Sequence, residues 1–126
     1  MPAADPSLPP SQLTTMMTGD TPPLDLVTIR ATCHRALAHR PVALPRAEEI
    51  HELTTTLRGD IEDMLPEACF RVDQLPCDLR WDSLQNMIRC ARAELADSPG
   101  VGLYSAFVHM QALGRAAQFL VEYLQE

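Results

Sequence analysis

Apolar residues recur every three or four positions along most of this chain after residue 25, the spacing that lines one face of an α-helix. Leu26, Ile29, Cys33, Ala36 and Leu37 predict a first helix over about 25–39, stopped by Pro41. Ile50, Leu53, Leu57, Ile61, Met64 and Leu65 predict a second over about 46–65, with Glu48 and Glu49 at the positive end of its dipole. Pro66 is expected to end it, because proline lacks the N–H that continues a helix. Leu84, Met87, Ile88, Ala91 and Leu95 predict a third over about 82–96, with Asp82 or Ser83 as N-cap. After the turn signature Asp97-Ser98-Pro99-Gly100, a fourth helix is expected over about 102–125.

Two stretches lack this period. Residues 66–80 read as an irregular connector, with Cys69 to Val72 a short extended piece and Pro76 a further break. Such a connection is long for a bundle, where roughly 2–8 residues are usual. Residues 1–23 carry Pro2, Pro6, Pro9, Pro10, Pro22 and Pro23 with no apolar period, and read as a disordered tail. The expected fold is therefore all-α, an antiparallel bundle of about four helices over residues 24–126 behind that tail.

The last helix differs from the others. Its polar stripe is only Gln111, Arg115, Gln118 and Glu122, so a helix apolar on most sides is either central to the domain or part of an oligomer interface. Leu103, Phe107, Met110, Leu113, Gly114, Ala117, Leu120, Val121 and Leu124 are the interface candidates, and a homodimer is one expectation. Ala106, Gly114, Ala116 and Ala117 would let a neighbouring helix approach closely. Gly114 costs about 1 kcal/mol against alanine inside a helix, which a close contact could offset.

Composition narrows the function classes. The chain is 46% hydrophobic but only 5% aromatic, which suits a helical core of aliphatic side chains. Its net charge of −7 disfavours nucleic acid and anionic membranes as partners. All basic residues are arginines, so lysine chemistry is excluded. Cys33, Cys69, Cys77 and Cys90 form no Cys-x-x-Cys pair, and no signal-peptide pattern opens the chain, so a cytoplasmic location with reduced thiols is expected. Cys69 and Cys77 are expected to be exposed in the connector, and Cys90 to sit at the edge of a core face.

No strong catalytic or metal signature emerges. His34 and His39 are five residues apart and fall on different faces of one helix; Glu48 and His51 give the Glu-x-x-His spacing of di-iron bundles only once. The expectation is no metal and no cofactor. Arg58-Gly59-Asp60 spells an adhesion tripeptide but falls inside a predicted helix, and Gly100-Val101-Gly102 lacks the lysine of a phosphate loop. His109, at the border of the last apolar face, is the first candidate for acid–base work if a carboxylate orients it. Arg115 and Glu122 from the same helix, with Arg71 and Trp81 from the connector, complete the catalytic and ligand-binding candidates.

One segment is familiar. Leu57-Arg58-Gly59-Asp60-Ile61-Glu62-Asp63-Met64-Leu65-Pro66-Glu67 resembles the LRGH-x-x-x-L-x-P-E core of a family of small actinobacterial proteins with a domain of unknown function, labelled as natural-product biosynthesis proteins. Leu113-Gly114-Arg115-Ala116-Ala117 with the Leu120 to Leu124 ending is similar to the family's C-terminal helix, and the Ile29-Arg30 helix with its proline stop also fits. The similarity spans about residues 24–125. It departs at Asp60, where the family pattern has histidine, so no histidine role carries over. The resemblance implies a context of secondary metabolism without supplying a reaction. A non-catalytic helical accessory or interaction protein beside such a pathway is the leading expectation. A small cofactor-free enzyme or ligand-binding protein, with a pocket between the helices, is the alternative.

Overall fold

The computed structural model describes residues 23–76 and 79–125. It contains helices α1 (Leu26–Ala38), α2 (Ala47–Asp73), α3 (Leu79–Ala96) and α4 (Leu103–Leu124) in chain order. Among the described residues there is no β-strand, only an isolated bridge between Arg40 and Ala43 in the α1–α2 link. The expected disordered tail lies, apart from Pro23, outside the described residues. No described helix is long and apolar enough to cross a membrane.

Helix α1 starts where its first side chain can cap it. Asp25 accepts from the Thr28 amide at 3.1 Å and from its hydroxyl at 2.7 Å, and those bonds hold the carboxyl below its ordinary range. Its buried face is Ile29, Thr32, Cys33 and Ala36.

Helix α2 overturns the expected boundary at Pro66. It continues through that proline to Asp73, so the predicted 66–80 connector and its extended piece do not exist as such. The apolar stripe explains why: Met64, Leu65, Ala68 and Val72 keep the helical period across the proline and are all buried. Pro66 itself is exposed, as is Glu62, whose carbonyl loses its intrahelical donor and can turn to water. An interior proline costs about 3 kcal/mol, which burial of the last two turns outweighs here. Pro66→Ala should therefore stabilise the protein by about 1–2 kcal/mol after the unfolded chain's added freedom is subtracted. A chemical melt of the variant with an unchanged or lower midpoint would show that the proline is not a burden.

Helix α3 likewise begins earlier than expected. Leu79 opens it, which puts Asp82 in the first turn rather than at the cap. Leu84, Ile88 and Ala91 are buried, with Met87 and Leu95 half-buried against the core.

Helix α4 is the centre of the molecule and packs against each of the other three. That accounts for most of its wide apolar surface. Phe107, Met110, Leu113, Gly114, Ala117, Leu120, Val121 and Leu124 are buried within the chain's own core, leaving only Leu103 of the interface candidates exposed. The small residue at Gly114 has the expected use. A Cβ there would lie 3.3 Å from Leu37 Cδ2 and 3.4 Å from Ala36 Cβ, so α1 crosses at this glycine. The start of the helix is set by Gly102, whose φ of 99° is a left-handed value that turns the chain into α4.

Three helix C-termini take side chains from another helix. Gln111 of α4 donates to the His39 carbonyl at 2.9 Å beside the end of α1. Arg58 of α2 donates to the Leu95 carbonyl at 2.5 Å in the last turn of α3. Arg71, also of α2, donates to the Leu124 carbonyl at 2.9 Å at the end of α4. Each supplies a donor to carbonyls that a helix end leaves unpaired, and the arginines also meet the negative end of the dipole.

Candidate functional site

Three clefts open between the helices, and the candidates divide among them. The first lies where α3 turns into α4. Asp97 follows the last residue of α3, three positions after Glu94, so both carboxylates lie on one side of the helix end. The turn through Pro99 and Gly100 then brings α4 back, and His109 faces the same cleft of about 450 Å³, with Ser105 and Tyr104 also in its wall. One ligand atom from each of Glu94, Asp97 and His109 lies within 4.8 Å of the others. His109 is 6% exposed, and its Nε2 is buried with no hydrogen-bond partner among the described residues. An oxygen of Asp97 accepts from the Ser98 amide at 2.9 Å, which fixes the carboxylate in the turn.

The second is an apolar groove of about 400 Å³ between α3 and α4, walled by Leu84, Met87, Cys90, Ala116, Phe119 and Tyr123. Phe119 is 58% exposed, although it is among the largest apolar side chains of the chain. Tyr104 and Val108 are 58% and 44% exposed. They precede Phe119 by fifteen and eleven residues, close to whole numbers of helical turns, so all three share the outer face of α4.

The third cleft, of about 910 Å³, lies between the start of α1, the middle of α2 and the end of α4, and is rich in carboxylates: Asp25, Asp60, Glu62, Asp63 and Glu67. Asp60 is the position where the resembling family pattern has histidine. Its Oδ2 is buried without a partner among the described residues. Burial pushes its carboxyl up, and the charge of Asp63 adds to the effect. Cys33 lies behind it, fully buried, its thiol pushed up to about 11 by burial first and by Asp60 second. This thiol is a core hydrophobe, not a nucleophile.

Asp60 has a measurable consequence. A carboxyl whose folded pKa is raised favours folding while protonated, and that benefit is lost as pH rises through the folded value. Ionised Asp60 therefore opposes folding near neutrality. Asp60→Asn should raise the melting temperature at about pH 7 and lose that gain at about pH 3, where the carboxyl is protonated in both states. A gain of equal size at both pH values would assign the effect to packing instead.

The sequence-predicted candidates do not converge. His109 lines the first cleft, Glu122 the groove, and Arg71 the acidic cleft, while Arg115 is exposed on α4. Arg71 is occupied by Glu67, at 2.9 Å, and by the Leu124 carbonyl. Trp81 lies in α3, half-buried against the core, and not in a connector. Of the other histidines, His39 Nε2 meets Glu49 Oε2 at 3.1 Å across the α1–α2 link, and His34 and His51 are exposed. Cys69 sits within α2, half-buried, with Arg92 Nη2 at 3.1 Å from its sulfur, and Cys90 is exposed in the groove; Cys77 lies outside the described residues. Glu94 and Asp97 were not legible as site residues. One signal was present: two carboxylates sit at the negative end of a helix whose last turn has no basic residue, a placement the dipole disfavours.

The class defined here is a small all-helical protein built around one central helix, with accessible clefts between its helices. The chain belongs to a family of unknown function, DUF6415, whose model matches residues 27–126. No curated protein and no solved structure matches it.

Proposed function

We propose that this protein is a non-catalytic helical interaction protein that receives an amphipathic helix of a partner protein in the α3–α4 groove, beside a natural-product biosynthetic pathway. The observation that carries the reading is Phe119, a large aromatic side chain left 58% exposed at the rim of an apolar groove. Exposed aromatic residues beside a hydrophobic groove are the anchors that helix-in-groove recognition uses. Met87 in the groove wall supports it too, since a flexible thioether adapts to a ligand's side chains. Charge sets the partner's chemistry. The chain carries −7, and Glu122 is the charged residue in the groove wall, so the partner helix flanks its apolar stripe with arginine or lysine.

The pathway context and an actinobacterial source rest on the resemblance at residues 57–67 and on the all-arginine basic set. A cytoplasmic location is part of the same proposal, supported by the free thiols Cys33, Cys69 and Cys90.

The test is native mass spectrometry of the full chain from its own host, beside Phe119→Asp. Expected is a one-to-one complex with a partner whose contact segment is a basic amphipathic helix, weakened at least about tenfold by the variant while the helical circular dichroism is unchanged. A homodimer dissolved by Phe119→Asp would replace the reading with self-association. A strict monomer, or a complex indifferent to the variant, would overturn it.

A further inference from the structure

We propose that Glu94, Asp97 and His109 form a binding site for a divalent transition-metal ion of the zinc class, with its remaining coordination positions open to the α3–α4 cleft. Two independent observations meet there. The first is geometric: one donor atom from each side chain lies within 4.8 Å of the other two. Ligand atoms about 2.0–2.2 Å from a tetrahedral ion stand roughly 3.3–3.6 Å apart, so side-chain rotations that move each donor by about 1 Å close the set. The second is the imidazole. His109 is 94% buried on this wall, and its Nε2 has no hydrogen-bond partner among the described residues, an arrangement that is costly unless something binds there.

The three groups do not satisfy one another. Among the described residues, neither carboxylate bonds to His109, whereas His39 Nε2 and Glu49 Oε2 stand 3.1 Å apart elsewhere in the same molecule. Arg58 donates to the Leu95 carbonyl, and among the described residues no ion pair joins it to Glu94 or Asp97. The donors thus surround a space instead of closing it. The end of α3 adds its own negative pole, which makes the same point favourable for a cation.

Donor chemistry selects the ion. An imidazole nitrogen disfavours magnesium and calcium, which take oxygen ligands, while the absence of sulfur disfavours soft ions. One nitrogen with two carboxylates suits zinc and its neighbours. Three protein ligands leave a position for water or for an anionic group of a ligand in the cleft, whose wall also carries the Ser105 hydroxyl. The exposed Asp97 and half-buried Glu94 place the site within reach of solvent, so the ion has an entry path.

The test uses the full chain stripped of metal by chelation and titrated calorimetrically with zinc chloride, then with cobalt chloride and magnesium chloride. The expected result is one zinc ion per chain, no magnesium binding, and a cobalt spectrum without thiolate charge-transfer bands. Asp97→Asn, at an exposed position where folding is not at risk, should weaken zinc at least tenfold, and Glu94→Gln should do the same. His109→Gln should abolish binding, with its fold checked by circular dichroism. Zinc binding that survives Asp97→Asn and Glu94→Gln, a thiolate signature from the cysteines, or no saturable zinc binding would each overturn the site. Because Phe119→Asp leaves all three ligands intact, it should bind zinc as the parent does.

Discussion

Replacing Phe107 by alanine should destabilise the protein by about 3–5 kcal/mol, the largest effect expected from a single truncation here. Phe107 is 1% exposed and the bulkiest of the fully buried side chains. It stands near the start of α4, which packs against each of the other three helices, so the void would open in the shared core. Its ring also stands 6.5 Å from that of Tyr104, an aromatic contact alanine cannot keep. A domain of this size is stable by about 5–15 kcal/mol, so the variant should retain its helices at low temperature but melt far earlier. Thermal and urea melts measure the effect. A loss below about 1 kcal/mol would mean that the surrounding helices collapse into the space, contrary to a core centred on α4.

Gly114→Leu should cost about 2–3 kcal/mol by overpacking, although leucine is the better helix former. The reason is the approach of α1. Even a Cβ would stand 3.3–3.4 Å from Leu37 and Ala36, and Ala36 is fully buried with nowhere to retreat. The added carbons would have to push the two helices apart and disturb the Gln111 bond to the His39 carbonyl nearby. Gly59 supplies the control. It also lies inside a helix, but a Cβ there meets nothing within 4 Å, so Gly59→Ala should stabilise by about 0.5–1 kcal/mol. Matched melts of the two variants separate packing from propensity. If both glycine variants moved stability in the same direction, the close crossing at Gly114 would be refuted.

The proposals place different functions on one side of the molecule, and they are separable. Phe119 and Met87 belong to the groove, whereas Glu94, Asp97 and His109 belong to the cleft at the α3–α4 turn. Metal occupancy and partner affinity can thus be measured on the same variants without confounding one another.

The helices themselves were legible because each carries its own record of burial. Leu57, Ile61 and Leu84 stand at the spacing of a buried stripe, and each is in the core. Pro66 misled because a local rule was set against a longer pattern: the period through Met64, Leu65, Ala68 and Val72 runs on beyond it, and packing along that face outweighs one lost hydrogen bond. The early start of α3 moved Trp81 from connector to helix and Asp82 from cap to first turn for a related reason, since a helix end depends on what it packs against.

The sequence by itself determined the four amphipathic segments, the acidic balance, the arginine-only basic set and the unusual breadth of the last apolar face. These properties are local or additive, and they follow from residue order alone. Only the tertiary structure decided that α4 spends that breadth inside its own chain, that Arg58, Arg71 and Gln111 serve the ends of other helices, and that His109 meets Glu94 and Asp97. Each of those facts depends on which faces of two helices meet and at what height. Periodicity marks the face a helix buries, but the partner that covers it is chosen by the packing of the whole set.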